Sequence, residues 1–301
     1  MNFDRHITEH FAENRQTISI EFSPPRTEDA GLQILKTASI LREKLRPDFA
    51  AITYGAGGST RERTQEYARI LRSDYGFDVV AHLTCLGSSK EELLEIVRAY
   101  HAEGLRNIMA LRGDPPKGQS DFRPHPNGCA HANELVELIR REGLDFCIGV
   151  AGYPEKHPQA ASLDEDVRYL KLKVDAGASF VTTQLFYDNR FYFEFVKKCR
   201  AAGIRVPILP GLMPALSLDQ VLRFGKMNGS SVPAELEKRM AAVNGDEAAQ
   251  RAVGVEWSCE QARDLFSHGV NALHLYIMNR SESALAVVDK LTAEGVLFPR
   301  A

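Results

Sequence analysis

The sequence predicts an α/β chain that closes into a (β/α)8 (TIM) barrel, and three observations predict it. Short β-rich runs alternate with helix-period segments along most of the chain. Eight such runs can be counted, a number that favours closure of a parallel sheet over an open one. The punctuation agrees, with serine-led helix starts after strands and glycines at helix ends. A doubly wound sheet is the competing fold, but it would carry a Gly-x-Gly-x-x-Gly turn after its first strand, and none stands there.

The elements follow in order. Phe3, Ile7 and Phe11 are spaced four apart, which predicts one short amphipathic N-terminal helix packed on the body of the protein. Strands are expected at 18–22, 49–54, 79–83, 107–111, 147–151, 180–185, 207–210 and 272–277. Helices are expected at 28–44, 60–73, 89–102, 131–142, 163–176, 190–201, 218–228 and 282–294. Four starts have the capping-box form: Ser59-x-x-Glu62, Ser88-x-x-Glu91, Ser162-x-x-Glu165 and Ser217-x-x-Gln220. Gly104, Gly143, Gly177, Gly203 and Gly269 mark helix ends. Residues 229–269 are too long for a simple βα connection. A helix entry at Ser231-Val-Pro233 and a longer helix over 246–266 predict an inserted helix pair between strands seven and eight, with a packing or oligomer role.

Composition bounds the class. Length alone suggests about two domains, but one such barrel needs about 250 residues, so 1–301 is read as a single domain. A net charge of -3 gives no general attraction to nucleic acid or anionic lipid. No apolar run approaches the ~18 residues of a membrane span, and residues 1–10 are too charged for a secretory signal. A cytoplasmic protein is expected. Cys85, Cys129, Cys147, Cys199 and Cys259 are odd in number and widely spaced, which predicts buried, reduced thiols. His125, Cys129 and His131 lie close together, but their spacing matches no standard zinc pattern and a fourth ligand is missing, so no metal is expected.

In a barrel the C-terminal strand ends converge on one face. Here they carry Glu21, Thr53 and Tyr54, His82, Arg112 to Asp114, Tyr153, Gln184, the Gly211 to Pro214 turn, and Tyr276 with Arg280 beyond it. Ala110-Leu-Arg-Gly-Asp114 ends a buried strand, and Pro115-Pro116 forbids further pairing. Glu21 lies between Ile20 and Phe22, where desolvation is expected to raise its pKa toward that of a general acid. Asp114, beside Arg112, is expected to stay ionised. The Gly55 to Gly58 loop before Ser59, with His157 and Lys173, suggests a large and partly anionic ligand.

Seven ordered motifs then converge on one family: Glu21-Phe-Ser-Pro-Pro-Arg26; Thr53-Tyr-Gly-Ala56 with Thr60-Arg-Glu-Arg-Thr64; His82-Leu-Thr-Cys85; Leu111-Arg-Gly-Asp114; Tyr153-Pro-Glu-Lys-His-Pro158; Lys173-Val-Asp-Ala-Gly-Ala178; and Thr183-Gln-Leu-Phe-Tyr-Asp188. Together they resemble the methylenetetrahydrofolate reductase family. The resemblance implies an FAD-containing barrel that reduces 5,10-methylenetetrahydrofolate to 5-methyltetrahydrofolate with NADH or NADPH, in one-carbon metabolism and methionine supply. By the same resemblance Glu21 is the acid at folate N10, and Asp114 sits beside flavin and folate. Gln184 is shared by folate and nicotinamide in a ping-pong scheme, and Phe224 packs on either substrate. Gln220 and Arg280 match folate contacts, and Thr53 a nicotinamide contact. Tyr54, Ala56, His82, Arg112, Gly113, Asp114, Ala132, Tyr153, His157, Ala160, Asp166 and Lys173 match FAD positions. Tyr169 and Leu172 depart from the polar residues that some relatives have near FAD. The folate tail is open to polyglutamylation, and a homo-oligomer is expected. Two alternatives remain: another FAD barrel of the proline-dehydrogenase kind, which would not need the Glu21 acid, and a non-catalytic folate- or flavin-binding subunit.

Overall fold

The computed structural model describes residues 5–13, 15–55, 61–114 and 123–299. At its centre is an all-parallel sheet of β1 (Thr17–Phe22), β2 (Phe49–Ile52), β3 (Val79–Thr84), β4 (Asn107–Leu111), β5 (Cys147–Gly152), β6 (Phe180–Thr183), β7 (Ile208–Leu209), β8 (Gly211–Leu212) and β9 (Ala272–Tyr276). The strand order is β7-β6-β5-β4-β3-β2-β1-β9-β8. Its two edges, β7 and β8, are halves of one chain segment interrupted by Pro210. Ile208 and Leu209 pair with β6, Gly211 and Leu212 pair with β9, and the Pro210 carbonyl accepts the His274 N–H at 2.9 Å. The seventh strand therefore runs past the expected stop at Pro210 and closes the barrel. Proline removes a donor from the ladder but keeps its carbonyl.

Around the sheet stand α2 (Glu28–Ile40), α3 (Arg61–Ser73), α4 (Lys90–Ala102), α5 (Ala132–Arg141), α6 (Leu163–Asp175), α7 (Asn189–Ala201), α8 (Leu218–Asn228) and α11 (Glu282–Ala293). A π-helical turn over Leu41–Leu45 continues α2. The insertion forms α9 (Ala234–Ala242) and α10 (Glu247–Ser267), as its length and entry signals predict. All five glycines expected at helix ends take positive φ. Ser162 and Ser217 cap α6 and α8, but the reciprocal half of each expected box is displaced by one residue: Glu165 accepts the Ala161 N–H and Gln220 the Leu216 N–H. The α4 cap is shifted by one residue: Ser89, not Ser88, forms the box with Glu92, because Ser89 is held by a bridge to Gly128. Ser59 lies outside the described residues.

Alternation along each strand divides the core in two. Ile18, Ile20 and Phe22 belong to the outer layer between sheet and helices. Phe49, Ala51, Val80, Met109, Cys147, Phe180 and Leu209 fill the barrel interior. Gly149 makes this filling possible, since a Cβ there would lie 2.4 Å from the Phe180 ring. At the N-terminal end of the strands, α1 (Ile7–Ala12) covers the interior, with the Ile7 N–H donating to Asn107 Oδ1 at 2.9 Å and the Phe11 ring against Phe49 and Phe180. The other end of the barrel is left to polar residues. All five cysteines are buried and free. Among the described residues, no helix is long and apolar enough to cross a membrane.

Candidate active site

Period-2 alternation turns Ser19 and Glu21 into the barrel, while their sequence neighbours Ile18, Ile20 and Phe22 face the helices. The surroundings of Glu21 are thus set by the adjoining strands, not by Ile20 and Phe22. His82 on β3 and His274 on β9 approach the carboxylate, with Nε2 atoms 3.4 and 3.6 Å from Glu21 Oε2. Both Nε2 atoms are buried and lack a hydrogen-bond partner. His274 is oriented from behind by Ser19 Oγ, 2.8 Å from its Nδ1, and its ring packs edge-on to Tyr276. Tyr276 in turn donates to the Thr183 carbonyl at 2.7 Å.

This geometry corrects the expectation for Glu21. Burial pushes its carboxyl pKa up, but the imidazole of His274 and the charge of His82 outweigh burial and hold it below the ordinary value. His82 moves down as well, because burial disfavours its charged form more than Glu21 favours it. His274 and Ser19 escaped the sequence reading. Their signal was present as polar residues at inward positions of strands otherwise built from Ile, Leu and Ala.

A second cluster forms on the ends of β4 and β5 and on α6, whose Asp166 and Lys173 both take part. Arg112 Nη1 donates to Gln159 Oε1 at 2.7 Å. Arg112 is therefore engaged with Gln159 and not, as its position suggested, with Asp114, which is exposed. Tyr153 packs edge-on to His157 at 4.8 Å, and the His157 N–H donates to Asp166 Oδ2 at 2.9 Å. Lys173 Nζ donates to the Ala151 carbonyl at 2.6 Å. Burial pushes its ammonium down to about 8, against the opposing pull of Asp166. Burial raises Asp166, and burial together with the charges of Asp114 and Asp166 raises the Tyr153 hydroxyl to about 12. Gly113 takes φ 87, where a Cβ would strike Thr84 at 2.7 Å, so the backbone after β4 runs close over β3.

The remaining predicted residues are dispersed around these clusters. Thr53 follows β2, and its carbonyl accepts from Thr64 Oγ1. Tyr54 packs against the outer apolar layer. Ala132 is the first residue of α5, and Ala160 is buried beside the cluster, its carbonyl taken by Lys156 Nζ at 2.9 Å. The Gln184 N–H donates to the Gly152 carbonyl at 2.8 Å, tying the ends of β5 and β6 together. Gln220 is buried, its Oε1 accepting from the Leu216 N–H at 2.7 Å, and Phe224 packs against a cluster containing Leu185, Tyr187 and Met213. Arg280 is exposed on the rim beyond β9. Tyr169 and Leu172 are each 49% exposed on the outside of α6. Ala56, Gly57, Gly58 and the Pro115-Pro116 pair lie outside the described residues.

Comparison with known proteins agrees with the motifs. Residues 6–292 match the family described as methylenetetrahydrofolate reductase. The 5,10-methylenetetrahydrofolate reductase of Escherichia coli K12 is 36% identical over 274 residues, covering 91% of this chain and 90% of that protein. Methylenetetrahydrofolate reductase 1 of Schizosaccharomyces pombe is 38% identical over 276 residues, covering 91% of this chain and 46% of the relative. The chain thus spans about half the length of its fungal and plant relatives. The fold is shared with a Clostridium thermocellum protein described as binding two copies of 5-methyl-5,6,7,8-tetrahydrofolic acid, at a TM-score of 0.64 and 15% identity over 95% of this chain and 99% of that one. With the family match running from the first helix to the last, the chain belongs to the methylenetetrahydrofolate reductase family.

Proposed function

We propose that the chain reduces 5,10-methylenetetrahydrofolate to 5-methyltetrahydrofolate, using NADH or NADPH as the hydride donor and FAD as the resident cofactor. The observation that carries this reading is Glu21, turned into the barrel mouth between His82 and His274 in a chain of this family. FAD, when bound, supplies the two-electron chemistry that a side chain cannot. The residues fit it. Lys173 and Arg112 offer positive charge on one side of the mouth, and the ammonium of Lys173, depressed by burial, gains from an anionic partner. Lys173, Arg112 and His157 would hold the phosphates, with the Gly113 backbone and Tyr153 along the ligand.

The chain's own work is to bind, orient and move one proton. Glu21 gives that proton to N10 of the bound folate, which opens the five-membered ring and leaves the methylene carbon electrophilic. Because the carboxyl is held low, it must be recharged at neutral pH. A proton at His82 or His274 Nε2 has a path of 3.4 or 3.6 Å to Oε2. A pterin closing the mouth removes water and adds to the upward push of burial on Glu21. Gln184 and Phe224 serve folate and nicotinamide in turn, which suits a ping-pong order.

The test is spectroscopic. Purified protein is expected to be yellow, to bleach anaerobically with NADH or NADPH, and to regain colour when methylenetetrahydrofolate is added. A colourless protein that ignores both substrates overturns the reading; a yellow protein that bleaches but is not reoxidised by the folate leaves a flavin barrel acting on another substrate.

A further inference from the structure

The entry of the inserted helix pair is tied to two loops of the barrel mouth. Gly229 ends α8 in the left-handed region, at φ 71, and Ser230 follows it into a buried position. There the Ser230 N–H donates to the Gly225 carbonyl at 2.9 Å, and its Oγ donates to the carbonyl of Leu185, the neighbour of Gln184, at 2.8 Å. These bonds fix the backbone on which Ser231 offers its N–H to Glu155, in the loop between β5 and α6. Both carboxylate oxygens of Glu155 accept that one N–H, Oε1 at 3.0 Å and Oε2 at 2.9 Å. Among the described residues no cation offsets the charge of Glu155. Burial pushes its carboxyl above the ordinary value, Ser231 pulls the other way, and Asp188 adds to the rise. A half-buried carboxylate held in this way adds little to overall stability. What it holds is the loop.

That loop carries Tyr153 and His157, and its shape depends on Lys156. The Lys156 N–H closes a turn on the Tyr153 carbonyl at 3.1 Å, with Lys156 itself at φ 74, a conformation that L side chains rarely adopt. The reversal returns the His157 ring to Tyr153, edge-on at 4.8 Å, and lets the His157 N–H reach Asp166 Oδ2 at 2.9 Å. On the far side of the turn, Lys156 Nζ donates to the Ala160 carbonyl at 2.9 Å. On the near side, Glu155 is the residue directly before the strained position, and Ser231 is what holds it. Strained backbone persists only where its surroundings hold it in place. Without the Glu155 bond the turn would relax, and Tyr153 and His157 would part.

We infer that Glu155 is a positioning residue for the flavin: through Ser231 it ties the Tyr153 to Pro158 loop to the insertion and keeps that loop in its cofactor-receiving form. This rests on the FAD reading above. Apparent affinity falls with the fraction of protein already in the receptive form, so loss of the brace is read in FAD binding and not in overall stability. The experiment titrates the flavin-free chain with FAD by fluorescence quenching, and melts it, for wild type, Glu155→Gln, Glu155→Ala and Glu155→Ala with Lys156→Gly. Glu155→Ala should bind FAD about tenfold more weakly, the worth of one hydrogen bond to a charged group, while the flavin-free protein melts within about 2 °C of wild type. Glu155→Gln keeps an acceptor for the Ser231 N–H and should stay within about threefold of wild type. Adding Lys156→Gly to the alanine variant should recover about threefold, because glycine takes φ 74 without the left-handed penalty. An alanine variant that binds FAD as tightly as wild type overturns the proposal. So does one whose weaker binding comes with a melting temperature lowered by more than about 5 °C and no recovery from Lys156→Gly, which would make Glu155 a general structural support. A wild-type chain that binds no FAD overturns the cofactor reading itself, and this inference with it.

Discussion

The two mouths of the barrel hold similar groups and treat them in opposite ways. Where the strands begin, His10 Nε2 lies 2.8 Å from Asp78 Oδ2, and Asp48 takes the Ile18 N–H at 2.7 Å and Arg15 Nη1 at 2.5 Å. Where the strands end, Glu21 has two imidazoles at 3.4 and 3.6 Å, and neither Nε2 has a hydrogen-bond partner. The carboxylates of the first mouth are committed to holding α1 and β1 in place. The carboxylate of the second is surrounded by proton carriers but not tied to them. Unpaired imidazole nitrogens occur at both mouths, His10 Nδ1 among them, so the carboxylates carry the distinction: those that are hydrogen-bonded stabilise the fold, and one met only at 3.4–3.6 Å is available to a ligand.

The sharpest way to break this contrast is Glu21→Gln. Folate reduction should fall by about 10²- to 10⁴-fold, the usual worth of a positioned acid, while NADH-driven bleaching of the flavin is retained. Stability should change by less than about 1 kcal/mol, because no aligned hydrogen bond of the carboxylate is lost. Stopped-flow measurement of the two half-reactions, with a denaturant melt, checks both parts. Equal loss in the two half-reactions contradicts the assignment of Glu21 to the folate step.

The complementary change is Asp48→Ala at the opposite mouth. It strands the Ile18 N–H and removes one of the two carboxylates of Arg15, which keeps Glu13, and should cost about 1–3 kcal/mol of stability. The rate per folded molecule should be unchanged at a temperature where the variant remains folded. A variant as stable as wild type, or one folded but slow, would show that the two mouths do not divide their roles in this way.

The sequence made the barrel legible because its evidence was local and repeated. Strand runs recur at every βα unit, with capping serines at four helix starts and glycines at five helix ends, so an error at one, such as Ser88 for Ser89, left the rest intact. The insertion was legible as an excess of chain at 229–269, and the pairing of β8 with β9 as little more than a glycine after Pro210. The site was legible as residue types at strand ends. What sequence could not supply was who faces whom. Ile20 and Phe22 flank Glu21 in the chain but lie on the other side of the sheet, while His274, more than 250 residues away, stands beside it. The pKa of Glu21 depends on that non-local pairing, so an argument from adjacent residues took the wrong sign. Arg112 and Asp114 repeat the lesson: two residues apart, they are not partners, because Arg112 donates to Gln159 instead.

The contrast also predicts a smaller effect, on pH. In the first mouth, burial works against the charge of Arg15, but Glu13 and Asp48 outweigh it and hold the guanidinium above its ordinary value. In the second, Lys173 has only a carbonyl and the raised carboxyl of Asp166, and burial brings it to about 8. An anionic cofactor favours the protonated lysine, so affinity is full below that value and is lost as pH rises through it. Between pH 7 and pH 9 the protonated fraction, and with it the affinity of the flavin-free protein for FAD, should fall about tenfold. Flavin fluorescence quenching over this range provides the measurement. Lys173→Met should bind FAD more weakly and lose the pH dependence, because no titrating ammonium remains. A flat wild-type profile would mean that Lys173 does not meet the cofactor's phosphates, and the positive charge for them would then fall to Arg112.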